Sequence, residues 1–428
     1  MNINLLQNSI LTKNYLMFYR SFFLIILYSS CLFSQINDAH FIKSVSVKNN
    51  KSEFPHTVHP LQSTVTFSFD DVTGNQEEYY YLITHCEVDW TPSDLPNSYY
   101  VDGFNNLQIN NFENSFGTLQ NYTHYNFTIP NENTTITKTG NYLFQILNED
   151  ETIVCERKIT FYNNQVTVGL KISESRDLAN FNKKQAVALT IYTGSLNINY
   201  PNQELKTFIY QNGDRQNKTP FLKPTFTSSN TYTYRPTQET EFYAGNEFYY
   251  FDNNEILRNS RFVAKNYRED NDYHSILFPK KSRTNSLYTY NPDINGSFVF
   301  RNFNSENTNT EAEYSKIHFA LQNEKEFSDK DIYVYGAFNN FQFTDNNKLK
   351  LEESGKYLTT SILLKQGFYN YDFVIKNDDD DIDRHTISGS FYETENNYES
   401  LVYYQPINSI YYQVVGYGIA NSKQQIEN

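Results

Sequence analysis

The chain has 428 residues, a formal net charge of −14 and an aromatic content of 17%. This length is enough for two or three domains, and the negative charge disfavours nucleic acid and anionic lipid as partners. The abundance of Tyr, Phe and Asn favours strands joined by turns, and the only segment with weak helical spacing is residues 172–184. We therefore expect an all-β protein.

The N-terminal segment, residues 1–34, is predicted to be a secretory signal peptide. Residues 22–33 form a short apolar run, preceded by Arg20 and followed by Ser34, after which cleavage is expected. The run is too short to span a bilayer. Met17 is an alternative start of translation, because a complete signal also begins there. Removal of this segment takes away two basic residues and no acidic one, so the net charge falls from −14 by two charges to −16.

Residues 79–106 contain the only Trp of the chain and are typical of a strand that leads into a turn. Alternation with a period of two predicts an inward and an outward face. The predicted inward residues are Tyr80, Leu82, Cys86, Val88 and Trp90, and the predicted outward residues are His85, Glu87 and Asp89. As the last inward residue, Trp90 is expected to close a core. The Asp102-Gly103 step predicts a further tight turn.

Strand signals continue along the rest of the chain in short intervals. Alternating residues from Tyr142 to Ile146, a polar turn and the run from Val154 to Phe161 predict a hairpin. The Asn-rich stretch 301–310 is typical of a linker. These signals predict three consecutive antiparallel β-sandwich domains of immunoglobulin or early-set type after the signal peptide. The predicted segments are residues 35–163, 164–310 and 311–420, followed by a polar tail at 421–428.

A transmembrane barrel is the structural alternative, because it would also show alternation and aromatic residues. Charged residues interrupt the strands too early for continuous lipid-facing faces, and the polar tail leaves no final membrane strand. We therefore expect a protein that does not itself span the membrane.

Two cysteines, Cys86 and Cys155, remain after signal cleavage. An exported protein can join such residues in a disulfide, but a chain of this length can build its core without one. A disulfide and a pair of buried free thiols are both compatible with the sequence.

Two clusters resemble metal sites in composition, and the sequence favours a simpler explanation for each. Residues 378–381 with Asp383 offer oxygen ligands for calcium, but they lack the spaced pattern and the distal Glu of a calcium loop. We expect a solvated hairpin tip. His56 and His59 have a spacing that suits a metal pair on a helix. Prolines on both sides exclude a helix, so two surface histidines on a loop are expected. No metal or cofactor is predicted.

The sequence shows no assembled catalytic groups. Cys86 is predicted to lie on the opposite strand face from His85, His124 has no assigned partner, and no nucleophile turn is present. Glu393 and Glu395 would share one face of a strand, as paired acids do in glycosidases. A neighbouring Lys or solvent is the commoner partner for such residues. We expect no enzymatic activity.

Several sequence blocks occur in order along the chain and form a specific combined signal. They are YYYLITHCEVDWTPSDL, YYVDGFN, SFGTLQNYTHYNFTIPNE, TGNYLFQI, NYPNQELKTFIYQNGD, AGNEFYYFDNNEILR, PDING, YVYGAFNNF, GFYNYDFV and GSFYETENNYESLVYY. In these blocks the chain resembles the type IX secretion system plug protein family of Bacteroidota. The resemblance implies a periplasmic protein that binds and seals the periplasmic end of the large outer-membrane β-barrel translocon when no substrate is engaged. We expect a monomer.

The turn after the predicted strand at residues 79–90 is our candidate for contact with the translocon. The candidate residues are Trp90, Asp94, Asp102 and Asn105. An alternative function is glycan binding at the cell envelope, because YVYGAFNNF and GKYLTTSILLKQGFYNYDFVI also resemble early-set modules that bind starch-like polysaccharides. Those modules stack sugars on an exposed Trp, and Phe341 stands at that position here. We expect Phe341 to pack in a core or a turn.

Overall fold

A computed structural model describes residues 37–327, 329–377 and 381–426. The predicted signal peptide, residues 378–380 of the aspartate run and the last two residues of the tail lie outside the described residues. The chain is 46% strand and 6% helix, in several mostly antiparallel sheets, so the prediction of a β-protein is confirmed. Among the described residues, no helix has the length and the apolar character needed to cross a membrane.

The first part of the chain forms two sheets and a small strand pair. Its strands and helix are β1 (Ile42–Asn49), β2 (Val58–Pro60), β3 (Val65–Asp71), β4 (Tyr80–Cys86), α1 (Asn97–Tyr100), β5 (Val101–Gly103), β6 (Leu107–Gln108), β7 (Phe112–Asn114), β8 (Thr123–Ile129), β9 (Thr134–Ile136), β10 (Gly140–Leu147) and β11 (Ile153–Tyr162). One sheet has the order β1-β3-β8-β7 and the other the order β2-β11-β10-β4-β6, while β5 pairs with β9. The predicted hairpin is confirmed as β10 and β11.

The first core lies between these two sheets and is rich in stacked aromatic rings. Phe67 and Phe127 stack at 5.3 Å between ring centroids, and Phe144 of the facing sheet lies 6.5 Å from Phe67. Each such buried Phe stabilises the fold by about 1.5–3 kcal/mol. Alternation of apolar residues along β3, β8 and β10 therefore explains why the sheet of β3 and β8 packs against the sheet of β10.

The rest of the chain supplies the remaining strands and three short helices. They are β12 (Thr167–Glu174), β13 (Lys184–Tyr192), α2 (Pro201–Glu204), β14 (Leu205–Gln211), β15 (Asp214–Lys218), β16 (Phe226–Ser228), β17 (Thr231–Tyr234), β18 (Glu241–Tyr243), β19 (Tyr249–Asp252), β20 (Val263–Glu269), β21 (Asp272–Leu277), β22 (Phe298–Phe300), α3 (Thr308–Glu311), β23 (Tyr314–Gln322), β24 (Ile332–Tyr335), β25 (Lys350–Leu351), β26 (Tyr357–Lys365), β27 (Gly367–Lys376), β28 (Ile382–Asp383), β29 (Asn397–Tyr404), β30 (Gln413–Asn421) and α4 (Ser422–Ile426). The segment with weak helical spacing is the end of β12 followed by turns, and not a helix.

Strand pairing does not follow the chain order of the predicted segments. The second core lies between the sheet β12-β13-β17-β16, which β18 joins at β13, and the sheet β15-β14-β29-β30. The third core lies between β20-β21-β23-β26-β25 and the sheet around β27, which pairs with β19, β22, β24 and β28. Strands from before residue 310 thus complete the third core, and the last strands return to the second. Periodicity marks a strand but does not select its neighbour, which is why this arrangement differs from consecutive domains.

The inward face of β4 is opposite to the one predicted. Tyr81 and Ile83 belong to the first core and His85 is buried, whereas Tyr80 and Leu82 are only partly covered. These three inward residues pair across the sheet with the inward residues of β10, Tyr142, Phe144 and Ile146. Both faces of β4 carry aromatic or aliphatic residues, so the strand alone does not define its orientation, and the neighbouring strand decides it.

Asp102 and Gly103 form the end of β5 and not a tight turn. Gly103 has a φ of 98°, and a Cβ at this position would come within 2.1 Å of the backbone oxygen of Asn133. The glycine is therefore needed for the close approach of β5 to the chain before β9.

Cys86 and Cys155 are buried free thiols. They lie on opposite sides of β10, where Cys86 pairs with Asn141 and Cys155 pairs with Ile146. That offset along β10 corresponds to about 17 Å, whereas a disulfide needs Cα atoms within about 7 Å. Burial raises the pKa of the Cys86 thiol to about 12, so the thiol is unreactive in the folded protein.

Candidate partner-contact surface and buried junctions

A buried ionic network joins the first core to the third. Asp70 of β3 is fully buried, and its carboxylate lies 2.6 Å from His124 Nδ1 and 2.7 Å from Lys365 Nζ. Tyr314 of β23 donates its hydroxyl to the same carboxylate at 2.6 Å. Burial alone would raise the pKa of Asp70, but the charges of Lys365 and His124 outweigh this effect and lower it. The carboxylate is therefore ionised and fully paired.

A second network joins the first core to the second. Glu399 of β29 is buried and accepts hydrogen bonds from Tyr210 at 2.9 Å and Tyr417 at 2.6 Å. His56, in the loop before β2, places Nε2 3.3 Å from the Glu399 carboxylate. Around these groups, apolar side chains of β2, β14, β29 and β30 form a separate small cluster. The junction is thus apolar with one charged centre.

A third network joins the second core to the third. Asp214 at the start of β15 accepts from Arg384 Nη2 at 2.8 Å and from the hydroxyl of Tyr335 at 2.8 Å. A cleft of about 60 Å³ opens beside these groups, and Tyr243 and Phe341 contribute to its wall. Each pair of cores is therefore bridged by at least one buried carboxylate. Together the described residues from Asp38 onward form one compact unit.

The pairing of His56 with Glu399 predicts a pH dependence of stability. Burial by itself would lower the pKa of His56, but the hydrogen bond and charge of Glu399 raise it above its ordinary value of 6.5. A raised pKa in the folded state means that this stabilisation is complete below about pH 6.5 and is lost as the pH rises through the folded pKa. We expect the free energy of unfolding, measured by urea denaturation, to decrease with rising pH above about 6.5.

A His56→Gln variant should lack this decrease, whereas His40→Gln, at an exposed position, should retain it. Below pH 6.5 a different effect operates, because burial lowers the pKa of His59 to about 3 and that of His85 to about 4. Those two groups destabilise the fold as the pH falls, in wild type and variant alike. An unchanged alkaline slope in His56→Gln would contradict the assignment.

The structure corrects the expectation that Trp90 closes a core. β4 ends at Cys86, and Trp90 lies four residues later in a turn with a φ of 72°. Its half-buried ring contacts the Lys158 Nζ at 5.4 Å and the Arg215 Cζ at 5.1 Å. Because the chain leaves the sheet before Trp90, its ring packs at the junction of the first and second cores.

The other three predicted contact residues have different environments. Asp94 and Asp102 are exposed. The side chain of Asn105 is half-buried and bonds both the backbone nitrogen and the backbone oxygen of Ile83, at 2.9 Å and 2.7 Å. Asn105 therefore holds its loop against β4. Contact of these residues with a partner stays a prediction.

The remaining sequence candidates have structural contacts. His59 is fully buried against Phe161 and is not a surface residue, because β2 pairs with β11 and turns its ring inward.

Glu393 and Glu395 lie in a turn and not on a strand, and Glu395 accepts from Tyr290 at 3.0 Å. Asp383 accepts from the backbone of His385 and Thr386. Within the described residues no cluster of three or more potential ligands suits a metal ion.

Phe341, the residue of interest for glycan binding, has a φ of 54° and packs its ring 5.2 Å from that of Tyr335. This half-buried ring belongs to a small apolar cluster beside the cleft. The ring also lines the cleft, and glycan binding stays a prediction.

Sequence reasoning missed the three buried carboxylates. Asp70 occupies an outward position on β3. A polar residue at such a position gives the same alternating pattern whether its side chain faces solvent or is buried against another core. Asp214 follows a glycine turn, and Glu399 lies in a strand that pairs with a segment nearly two hundred positions earlier. The available signal was an acidic residue inside an otherwise apolar strand, as in NYESLVYY.

Comparisons with known proteins place these features in context. No curated protein matches the chain. Among solved structures, a hypothetical protein from Parabacteroides merdae ATCC 43184 is 27% identical, with a TM-score of 0.86 over 90% of this chain and 100% of that one. A partial N-terminal region of an enterococcal surface protein aligns at 9% identity with a TM-score of 0.16, which carries no argument. Residues 42–163 match the family model described as type 9 secretion system plug protein 1st domain.

Proposed function

The first domain of this chain, residues 42–163, belongs to the type 9 secretion system plug protein family, and from this membership we propose that the protein seals the periplasmic end of the outer-membrane translocon of that system. The proposed partner is the large β-barrel of the translocon. The plug keeps the envelope closed while the pore holds no substrate and leaves when a substrate enters. The family match is the observation that carries this proposal.

The three buried junctions support a role that needs a stiff body. A plug that deformed under contact would open a path for solutes around it. Here Asp70, Glu399 and Asp214 each bond across a different pair of cores. The chain also crosses between the second and third cores, because β19 to β22 belong to sheets of the third core and β29 and β30 belong to a sheet of the second. Relative motion of the cores would break buried charged contacts, which is unfavourable by several kcal/mol for each contact.

The proposed role needs no catalytic site and no cofactor. We propose that the protein is not an enzyme and binds no cofactor. It also requires a location in the cell envelope on the periplasmic side of the outer membrane. The predicted signal peptide is compatible with that location. The acidic net charge of the chain disfavours approach to an extended anionic surface.

Deletion of the gene tests the proposal directly. Cells without the protein should admit large solutes, such as a glycopeptide antibiotic, across the outer membrane. The leak should disappear when the translocon barrel is deleted as well, because the open pore is then absent. Re-expression of the wild-type chain serves as the control. Unchanged permeability in the single deletion would refute the sealing role.

Physical association is a separate requirement. The affinity-tagged protein, purified from detergent-solubilised outer membranes, should recover a very large barrel protein. Retention on a polysaccharide resin without recovery of any barrel would instead favour the glycan-binding alternative.

A further inference from the structure

A small basic and aromatic surface lies where the first and second cores meet, and we call Trp90, Lys158, Arg215 and Lys218 the junction patch. Lys158 belongs to β11, whereas Arg215 and Lys218 belong to β15. The Trp90 ring has the Lys158 ammonium at 5.4 Å and the Arg215 guanidinium at 5.1 Å. Cations from two cores thus meet at the single Trp of the chain. Lys218 lies close enough to Arg215 and Lys158 for their charges to add to desolvation in lowering its pKa.

The positive charge of the junction patch is not neutralised by ion pairs with other described residues of the chain. Among the ion pairs of the described residues, none involves Lys158, Arg215 or Lys218. Desolvation, together with the charge of Arg215, lowers the pKa of both lysines, although Glu156 partly opposes this for Lys158. Like charges are therefore held together in a protein whose net charge is −14, an arrangement that is unfavourable without a counter-ion.

Arg215 has unused hydrogen-bonding capacity. Its Nη2 donates to Thr160 Oγ1 at 3.1 Å, while its buried Nε and Nη1 have no hydrogen-bond partner. The rings of Trp90 and Tyr210 flank the guanidinium at 5.1 Å and 5.6 Å. These contacts fix Arg215 beneath the surface, where its charge raises the positive potential felt by an anion above it.

Apolar surface continues from the junction patch along the same sheet. Lys218 lies 5.2 Å from the ring of Phe208, which contacts the half-exposed Phe221. Lys206 is 5.5 Å from the ring of Phe221 and 4.4 Å from that of Tyr412. Phe208 is buried, so Phe221 is the exposed ring beside these cations, and it suits a ligand that carries apolar side chains as well as carboxylates.

We propose that the junction patch is the docking surface for an acidic peptide segment of the translocon barrel, an inference that rests on the proposed function. Charge complementarity selects a carboxylate-bearing partner. A short acidic segment needs only the local positive potential, whereas an extended polyanion such as nucleic acid or an anionic membrane also meets the negative charge of the rest of the chain. The exposed ring of Phe221 and the half-buried ring of Trp90 supply the apolar part of the contact.

Trp90 provides a direct readout, because no other Trp contributes to the fluorescence of the chain. The probe is a short oligomer of poly-L-glutamate, and it should change the Trp90 emission in a saturable manner that added salt reverses. Poly-L-lysine should leave the emission unchanged. A Lys158→Glu/Lys218→Glu variant should bind poly-L-glutamate at least about tenfold more weakly, since each charge reversal removes one attraction and adds one repulsion.

A matched control separates this effect from the change in net charge. Lys51→Glu/Lys223→Glu alters the charge equally at two exposed positions and should bind like the wild type. Circular dichroism of each variant verifies the fold. No emission change with poly-L-glutamate, or equal binding by the junction-patch variant and the control, overturns the proposal. An equal response to anionic phospholipid vesicles would assign the surface to lipid and overturn it too.

Barrel recovery from outer membranes then distinguishes the two proposals. If the wild type and the Lys51→Glu/Lys223→Glu control recover the barrel and the junction-patch variant does not, both proposals are supported. If all three recover it equally, the docking surface is wrong and the plug function stands. If none recovers it although poly-L-glutamate binds at Trp90, the barrel as partner fails while the patch remains an acidic-peptide site.

Discussion

An Asp70→Asn variant is expected to lose about 3–5 kcal/mol of the free energy of unfolding, because it leaves the buried Lys365 ammonium without its counter-charge. Lys365 and Asp70 are only 2% and 0% exposed. The ammonium also donates to the backbone oxygen of Asn309 and lies over the Tyr122 ring, but neither contact supplies a negative charge. Asn has nearly the same size as Asp, so the loss of the free energy of unfolding arises from the missing negative charge of Asp70. Urea denaturation followed by circular dichroism measures it.

The half-exposed pair of Lys316 and Asp272 offers the matched control. Its side chains are 42% and 34% exposed, and Asp272→Asn should change the free energy of unfolding by no more than about 1 kcal/mol. Adding Lys365→Met to Asp70→Asn should restore part of the loss, because the uncompensated charge is then gone. Equal, small effects of Asp70→Asn and Asp272→Asn would show that the buried pair is not important for the stability of this junction.

An Arg384→Met variant is expected to lose about 3 kcal/mol at the junction of the second and third cores. Asp214 is 7% exposed and Arg384 is 21% exposed, so the carboxylate cannot regain full hydration when the guanidinium is removed. The hydroxyl of Tyr335 and the backbone nitrogen of Gln216 would remain as its donors. These neutral groups satisfy hydrogen bonds but do not neutralise the charge. Thermal and urea unfolding of both proteins measure the difference.

Arg176→Met is the corresponding control, because Arg176 is exposed. This substitution should change the free energy of unfolding by less than about 0.5 kcal/mol. The loss in Arg384→Met should also exceed that of the control at high salt, since buried pairs are screened less than exposed ones. A loss that salt abolishes would indicate that the pair behaves as a surface contact.

Local features of this fold could be predicted from the sequence where one strand face is clearly apolar. The hairpin of β10 and β11 is an example, because Tyr142, Phe144 and Ile146 alternate with residues that are smaller or polar. The orientation of β4 could not be predicted in the same way, because Tyr80 and Tyr81 place an aromatic ring on each face. Only the pairing register of β4 with β10 determines which face of β4 points into the core.

The candidate site was predictable in part. The sequence identifies Trp90 as the only Trp of the chain, but its surroundings depend on Lys158 and Arg215, which approach from other strands. Contacts between residues of different strands leave no periodic pattern in the sequence. The same reason explains why Asp70 and Glu399 were not recognised, since a buried acid that is paired across a junction has the sequence pattern of an exposed one.

The return of β29 and β30 to the second core affects how the protein can fold after export. Thr207 of β14 bonds the backbone oxygen of Leu401, 194 residues later. A chain that emerges from its N-terminal end can complete the first core early, but β14 lacks its neighbour until residues 397–421 have arrived. Contacts of such long sequence separation form slowly, and an unpaired strand edge is prone to wrong association in the meantime. We therefore expect the second core to be the last to close.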